Sequence, residues 1–239
     1  MKDELFSDKR GAIGDFNFGR ETAQVFDDML LRSVPNYAET QRMITELSID
    51  FAQPGTRVFD LGCSTATTFL GLDPHLPQDV AFVGIDSSPD MLKKASEKLA
   101  QAHVSRPCEL RCETLENLVV EDASVVILNL TLQFVRPIHR PELIRRIASG
   151  LVPGGCLILV EKILSPNSRL NRLFIDHYYD FKRRNGYSEL EISQKREALE
   201  NVLVPFHGDE NKDLLCANGF SYCEEFMRWY NFCGVVALK

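Results

Sequence analysis

An acid, a glycine and a run of hydroxyls stand close together in residues 58–70, VFDLGCSTATTFL. Glycine lets a backbone approach a ligand, and hydroxyls beside helix-start amides can hydrogen-bond one. Asp86 closes a second apolar run, VAFVGID, at a position where a carboxylate can accept both hydroxyls of a ribose. Asn129 closes a third, SVVILN. The plain account of the loop is a tight turn whose Ser64 and threonines merely cap amides. A polar residue at the end of each of three apolar runs favours a ligand crevice along one edge of a sheet. A pyrophosphate demands bare backbone and repeated glycines. Here Gly62 is followed by Ser64, Thr65, Thr67 and Thr68, which suit an amino-acid moiety better.

Such a crevice needs strands that end together. Residues 57–61, 80–86, 108–112, 124–129 and 156–163 read as strands. Helices alternate with them, near 65–72, from Pro89 onward, and over 140–151 with a stop at Pro153-Gly154-Gly155. Ser87 or Ser88 caps the helix that begins at Pro89. Strands that are apolar throughout and alternate with helices indicate a parallel sheet covered on both faces. Helices at 21–34 and 37–51 precede the sheet, so residues 1–54 read as an N-terminal helical arm or lid. Residues 165–205, charged and aromatic, read as a helical insertion after the fifth strand. A helix near 210–218 and strands near 226–230 and 234–238 close the chain as an antiparallel hairpin. The expectation is one α/β domain over 1–239, with a mostly parallel seven-stranded sheet.

The 239 residues are 44% apolar and 26% charged, as in an ordinary soluble globular protein. A net charge of -7 repels a phosphate backbone, so direct nucleic-acid binding is not expected. No apolar run is long enough for a bilayer, and the start MKDELFSDKR lacks a signal core, so no membrane is expected either. Seven scattered cysteines without a CxxC argue against a disulfide framework or a metal site, and for a reducing cytoplasm.

Stretches far apart in the chain resemble one family: LFSD, VFDDMLLRSVPNY, VFDLGCS, ASVVILNLTLQF, FKRRNGYSELEISQKREALENVL and YNFCGVVALK. Together they resemble the bacterial carboxy-S-adenosylmethionine synthases, which have the class I, Rossmann-like methyltransferase fold and serve tRNA wobble-uridine modification. The resemblance covers nearly the whole chain, and NGYSELEISQKR is its most specific part. It implies a transferase that takes S-adenosylmethionine and prephenate and gives carboxy-S-adenosylmethionine and phenylpyruvate. In the implied chemistry prephenate loses carbon dioxide and its hydroxyl as it aromatises. The sulfonium stabilises a carbanion at the S-methyl carbon, which captures the carbon dioxide in a dry site. The product would pass to a separate tRNA carboxymethyltransferase, so the chain need not touch RNA.

By the same resemblance Gly62, Cys63 and Ser64 border the amino-acid part of the cofactor, and Asp86 takes the ribose with Ser87 beside it. Thr114 and Leu115 stand by the adenine, Asn129 by the sulfonium end, and Tyr37 against the cofactor or its carboxylate. Arg196 is the catalytic clamp on the new carboxylate, reaching it across a homodimer interface. A guanidinium stays charged and binds a carboxylate in bidentate fashion.

The residues also allow plainer roles. Tyr37 could pack between helices, and Arg196 could pair with Glu200 one turn on. Arg183 and Arg184 could steer a dianionic donor or face solvent, and His177 belongs to an aromatic stripe. No protein base stands out. Three positions depart from the family pattern: Ala66 for glycine, which crowds the loop; Ser87 for asparagine; and Thr114 for an aspartate that reads the adenine amino group. These departures keep two other readings open, a conventional methyltransferase acting on tRNA or a small molecule, and a cofactor-binding paralogue without chemistry.

Overall fold

The computed structural model describes residues 1–9 and 11–239; Arg10, within the expected arm, lies outside the described residues. Helices α1 (Arg20–Ser33) and α2 (Tyr37–Phe51) lead into β1 (Arg57–Leu61), α3 (Thr67–Leu72), β2 (Ala81–Asp86), α4 (Pro89–Gln101) and β3 (Cys108–Cys112). Then come β4 (Ala123–Asn129), α5 (Arg140–Gly150), β5 (Leu151–Lys162), α6 (Ser168–Arg184) and α7 (Glu189–Leu199). The chain closes with α8 (Gly208–Cys216), β6 (Tyr222–Trp229) and β7 (Phe232–Leu238).

The strands form one seven-stranded sheet in the order β3-β2-β1-β4-β5-β7-β6. Pairs from β3 to β5 are parallel, and β7 runs antiparallel to both β5 and β6. The chain winds outward from β1 through β2 and β3, then crosses back to β4. A crevice therefore opens between the ends of β1 and β4, where open α/β sheets bind ligands.

Successive residues of a strand point to opposite faces, and the core follows that rule. Phe59, Leu61, Val126 and Leu128 pack on one face with Leu143, Ile144 and Ile147 of α5. Val58, Val125 and Ile127 pack on the other with Ile44, Phe69 and Leu99. Each fully buried side chain of this kind contributes roughly 1.5–3 kcal/mol.

Local chemistry sets the helix ends. Ser88, rather than Ser87, caps α4: its Oγ accepts from the Met91 amide at 3.2 Å, and Pro89 takes the first turn. Ser188 and Glu191 form a capping box at the start of α7.

Several boundaries differ from expectation by a few residues, as α8 and β7 do, and three of the differences have a visible cause. The helix α3 starts at Thr67 rather than near 65, because Ser64 and Ala66 adopt left-handed φ of 48° and 58°. Helix α5 ends at Gly150, and Pro153-Gly154-Gly155 lies within β5, where the pairing with β4 slips between Ala123 and Val125. The helix ends because Leu151 turns to extended backbone at φ -73° and ψ 135°; Gly150 must be glycine, since a Cβ there would stand 2.2 Å from the Val120 carbonyl oxygen. Strand β6 begins at Tyr222 rather than near 226, since a register break between Glu225 and Met227 masks its alternation. No described helix is long and apolar enough to cross a membrane.

Candidate active site

Gly62 leaves β1 with φ of +80°, and a Cβ at that position would lie 2.4 Å from Thr131 Oγ1. Conformation and space both require glycine there. The Ser64 amide donates to Asp86 Oδ2 at 3.0 Å, and the Ser88 amide donates to Oδ1 at 2.8 Å. Two backbone amides thus fix the carboxylate, and each oxygen keeps further acceptor capacity. Burial pushes the Asp86 pKa up, and the two amides oppose that shift. Asp60 lies deeper, 2% exposed. Burial raises its pKa to about 7, against a hydrogen bond from Thr68 and with help from the nearby Asp86 charge. At the end of β4, Asn129 Oδ1 is buried and has no hydrogen-bond partner.

These groups border one cavity of about 790 Å³. Gly62, Cys63, Ser64, Asp86 and Ser87 form its β1–β2 side, and Thr114 and Leu115 stand just after β3. Asn129, Tyr37 and Arg196 also line it. Every site residue expected from the sequence therefore borders the same space. Arg196 is exposed at the wall formed by α7 and forms no ion pair among the described residues, with Glu200 or otherwise. Tyr37 both lines the cavity and packs with Val34, Tyr178 and Phe232; its hydroxyl accepts from Gln41 Nε2 at 2.9 Å. Burial raises the thiol pKa of Cys63, which stays protonated.

One expectation is overturned, and the open readings of Arg183, Arg184 and His177 resolve to surface and packing roles. Ala66 does not crowd the cavity: its methyl is turned into the core with Ile44, Val58 and Phe69, behind the loop. Arg183 faces solvent and pairs with Asp180 at 2.6 Å and with Glu189. Arg184 is exposed, and His177 stacks on Tyr230 with centroids 4.9 Å apart.

Sequence reasoning overlooked the lysines. Lys162, Lys182 and Lys195 all line the cavity on its β5–α7 side. The signal was present in the helical phase of α6, where Lys182 follows the buried Tyr178 by one turn and shares its face. Asp60, in the first motif, also faces the cavity. The arm before α1 adds to the wall: Phe18 lines the cavity and meets Phe134 edge-on at 5.3 Å, and the Phe18 carbonyl accepts from Ser88 Oγ at 2.5 Å. Asp60 and Asp86 therefore lie toward β1 and β2, and Lys162, Lys182 and Lys195 toward β5, α6 and α7, with charges of both signs elsewhere on the wall: Glu113, Glu116, Arg136, Glu142, Arg146 and Glu200. Among the described residues no cluster of three or more His, Cys, Asp or Glu is arranged to hold a metal ion.

Residues 58–155 match a family model described as a methyltransferase domain. Over 240 residues the chain is 51% identical to the carboxy-S-adenosyl-L-methionine synthase of Methylococcus capsulatus, with 100% of this chain and 99% of that protein covered. It is 45% identical to the synthase of the same name from Desulfotalea psychrophila, with 100% and 97% covered. Among solved structures, an O-methyltransferase family protein from Burkholderia thailandensis superposes with a TM-score of 0.64, over 91% of this chain and 59% of that one. At 16% identity that likeness concerns the fold alone. The strand order supplies the architecture, and full-length identity to the synthases supplies the rest: the chain belongs to the carboxy-S-adenosyl-L-methionine synthase family, transferases with the S-adenosylmethionine-dependent methyltransferase fold.

Proposed function

We propose that the chain converts S-adenosylmethionine and prephenate into carboxy-S-adenosylmethionine and phenylpyruvate in the cytoplasm, and that a separate tRNA carboxymethyltransferase uses the product. The observation that carries this reading is the separation of charge within one cavity. Asp60 and Asp86 face a cationic cofactor from one side; Lys162, Lys182 and Lys195 face an anionic donor from the other. Plain methyl transfer to a neutral acceptor gives no reason for a wall of cations.

The residues fit S-adenosylmethionine. The Asp86 carboxylate has acceptor capacity left for a diol, and the loop at Gly62 admits a backbone-close ligand. The unpartnered Asn129 oxygen can accept an N–H from the amino-acid end, beside the sulfonium. Bound there, S-adenosylmethionine supplies a methyl group whose protons the adjacent sulfonium acidifies. Asp86 orients the ribose, and Thr114 and Leu115 border the adenine. Phe18 and Phe134 put apolar surface on the cavity wall, where carbon dioxide is less exposed to hydration. As the donor aromatises it releases carbon dioxide and hydroxide; the carbon dioxide is captured at the methyl carbon, and the hydroxide takes the displaced proton to form water. Arg196 binds the new carboxylate through two N–H groups. Its exposure supports a clamp that serves the cavity of a second copy in a homodimer.

The test is incubation of purified protein with S-adenosylmethionine and prephenate, followed by mass spectrometry. The expected result is a cofactor product heavier by one carboxyl group. Formation of S-adenosylhomocysteine with an acceptor, and no carboxylated product, overturns the reading in favour of ordinary methyl transfer.

A further inference from the structure

Lys182 and Lys195 are only 5% and 7% exposed. The ammonium groups of Lys162 and Lys182 lie 4.8 and 4.5 Å from the centroid of one ring, that of Tyr178. The Tyr178 hydroxyl is committed elsewhere, donating to the Ser33 carbonyl at 3.0 Å, so only its ring serves the lysines. Lys195 Nζ is buried without a hydrogen-bond partner. Its nearest carboxylate oxygen, Asp3 Oδ2, is 3.8 Å away and already accepts from Tyr187 at 2.5 Å. Among the described residues Lys162 and Lys182 form no ion pair at all.

Lys162 and Lys182 are held without a counter-ion, which is costly, and the face of the Tyr178 ring offsets only part of that cost; Lys195 has the long Asp3 contact and the Tyr187 ring at 5.7 Å. Burial, followed by repulsion from Lys195 and Lys162, drives the pKa of Lys182 well down; burial brings those of Lys162 and Lys195 to about 8. A role confined to packing would be met better by leucine or methionine. Three lysines around one space instead make sense when an anion enters it. The wall beside them is apolar, built from Val34, Tyr37 and Phe232 with Tyr178. The space thus suits a small organic dianion with an unsaturated ring.

We propose that Lys162, Lys182 and Lys195 form the seat of the carboxyl donor, holding its carboxylates beside the bound cofactor with the Tyr178 ring as the floor. This rests on the carboxyl-transfer reading above and names the residues that recognise the donor. The phase of α6 supports it, since Lys182 turns inward while Arg183 is spent on surface ion pairs.

The test is calorimetric titration of prephenate into the full chain in the presence of S-adenosylhomocysteine, which has no methyl group to react. The wild type is expected to bind. Lys182→Met and Lys195→Met are each expected to weaken prephenate at least tenfold while S-adenosylmethionine binding stays within threefold, which also reports an intact fold. Lys162→Met, at the least buried of the three, is read in the same way should either of the others fail to fold. Unchanged prephenate affinity in the folded variants, or no binding to the wild type, overturns the seat. If prephenate binds through the lysines but no carboxylated product forms, the seat stands and the carboxyl-transfer reading falls. If product forms while the variants bind prephenate normally, the reverse holds.

Discussion

The Ser64 amide and the Asp86 carboxylate meet at 3.0 Å, which ties the loop after β1 to the end of β2 before any ligand arrives. The bond orients the carboxylate and leaves it free to accept more. Asp86→Asn replaces one acceptor oxygen with a donor that faces a backbone N–H. A hydrogen bond to a charged group contributes about 1.5–3 kcal/mol. The variant is expected to bind S-adenosylmethionine roughly ten- to a hundredfold more weakly. Equilibrium dialysis with labelled cofactor checks this, and undiminished binding would remove Asp86 from the ribose site.

Asp60 predicts a pH dependence. Its pKa of about 7 lies far above the ordinary carboxylate value, so it gains its charge as pH rises through 7. A cationic ligand prefers the ionised form. Affinity for S-adenosylmethionine is expected to rise between pH 6 and pH 7.5, roughly, with release of a proton on binding. The effect on stability has the opposite sense. The native chain holds a proton that the unfolded chain has lost between about pH 4 and pH 7, so stability falls as pH rises across that window. Asp60→Asn should flatten the binding profile and reduce the fall in stability, the rest of which comes from Glu161, whose pKa burial raises to about 8. Titration calorimetry and urea denaturation at several pH values read them, and slopes unchanged by the substitution would assign the dependence elsewhere.

Ala66 sets two terms against each other. Its left-handed φ of 58° costs roughly 1–2 kcal/mol for a residue with a Cβ. Its fully buried methyl contributes about 0.8 kcal/mol, and glycine adds unfolded-state entropy of about 0.4–1 kcal/mol. Ala66→Gly is therefore expected to change stability by less than about 1 kcal/mol in either direction. Binding of S-adenosylmethionine should stay unchanged, because the methyl faces the core. A loss above about 2 kcal/mol in the urea midpoint would mean that packing outweighs strain at this turn.

Arg196 allows its reach to be tested by mixing subunits. Arg196→Ala alone is expected to lower formation of the carboxylated product at least tenfold. If the guanidinium acts across a homodimer, mixing Arg196→Ala with Asp86→Ala chains restores one complete site per mixed dimer. Activity should then climb toward half of the wild-type value per mixed dimer. Mixtures no more active than either parent would confine Arg196 to the cavity of its own chain, whose wall it forms.

Much of the fold could be read from apolar runs: the bounds of β1 and β3 follow directly from residues 57–61 and 108–112. The reason for glycine at the end of α5 could not, because Gly150 is required by the approach of Val120, a contact between segments distant in the chain. The loop, Asp86 and Asn129 were legible because a residue that ends a strand has its position set by the sheet. The lysines were not. On an α-helix one position is a rotation of about 100°, and RR after Lys182 drew attention to the outward face. Only packing of Tyr178 against the sheet fixes which way the helix turns. Ala66 shows the same gap, since its backbone angle, not its size, decides where the methyl goes.

The lysine side of the cavity has a practical consequence for handling the protein. Phosphate, sulfate and citrate are small polyanions, and each can settle where Lys162, Lys182 and Lys195 meet. Rates measured in phosphate are expected to show a higher apparent KM for the donor than rates in a zwitterionic amine buffer at equal pH and ionic strength. The choice of buffer then becomes a choice of competing inhibitor, and crystals grown from sulfate would carry an occupant in place of the donor.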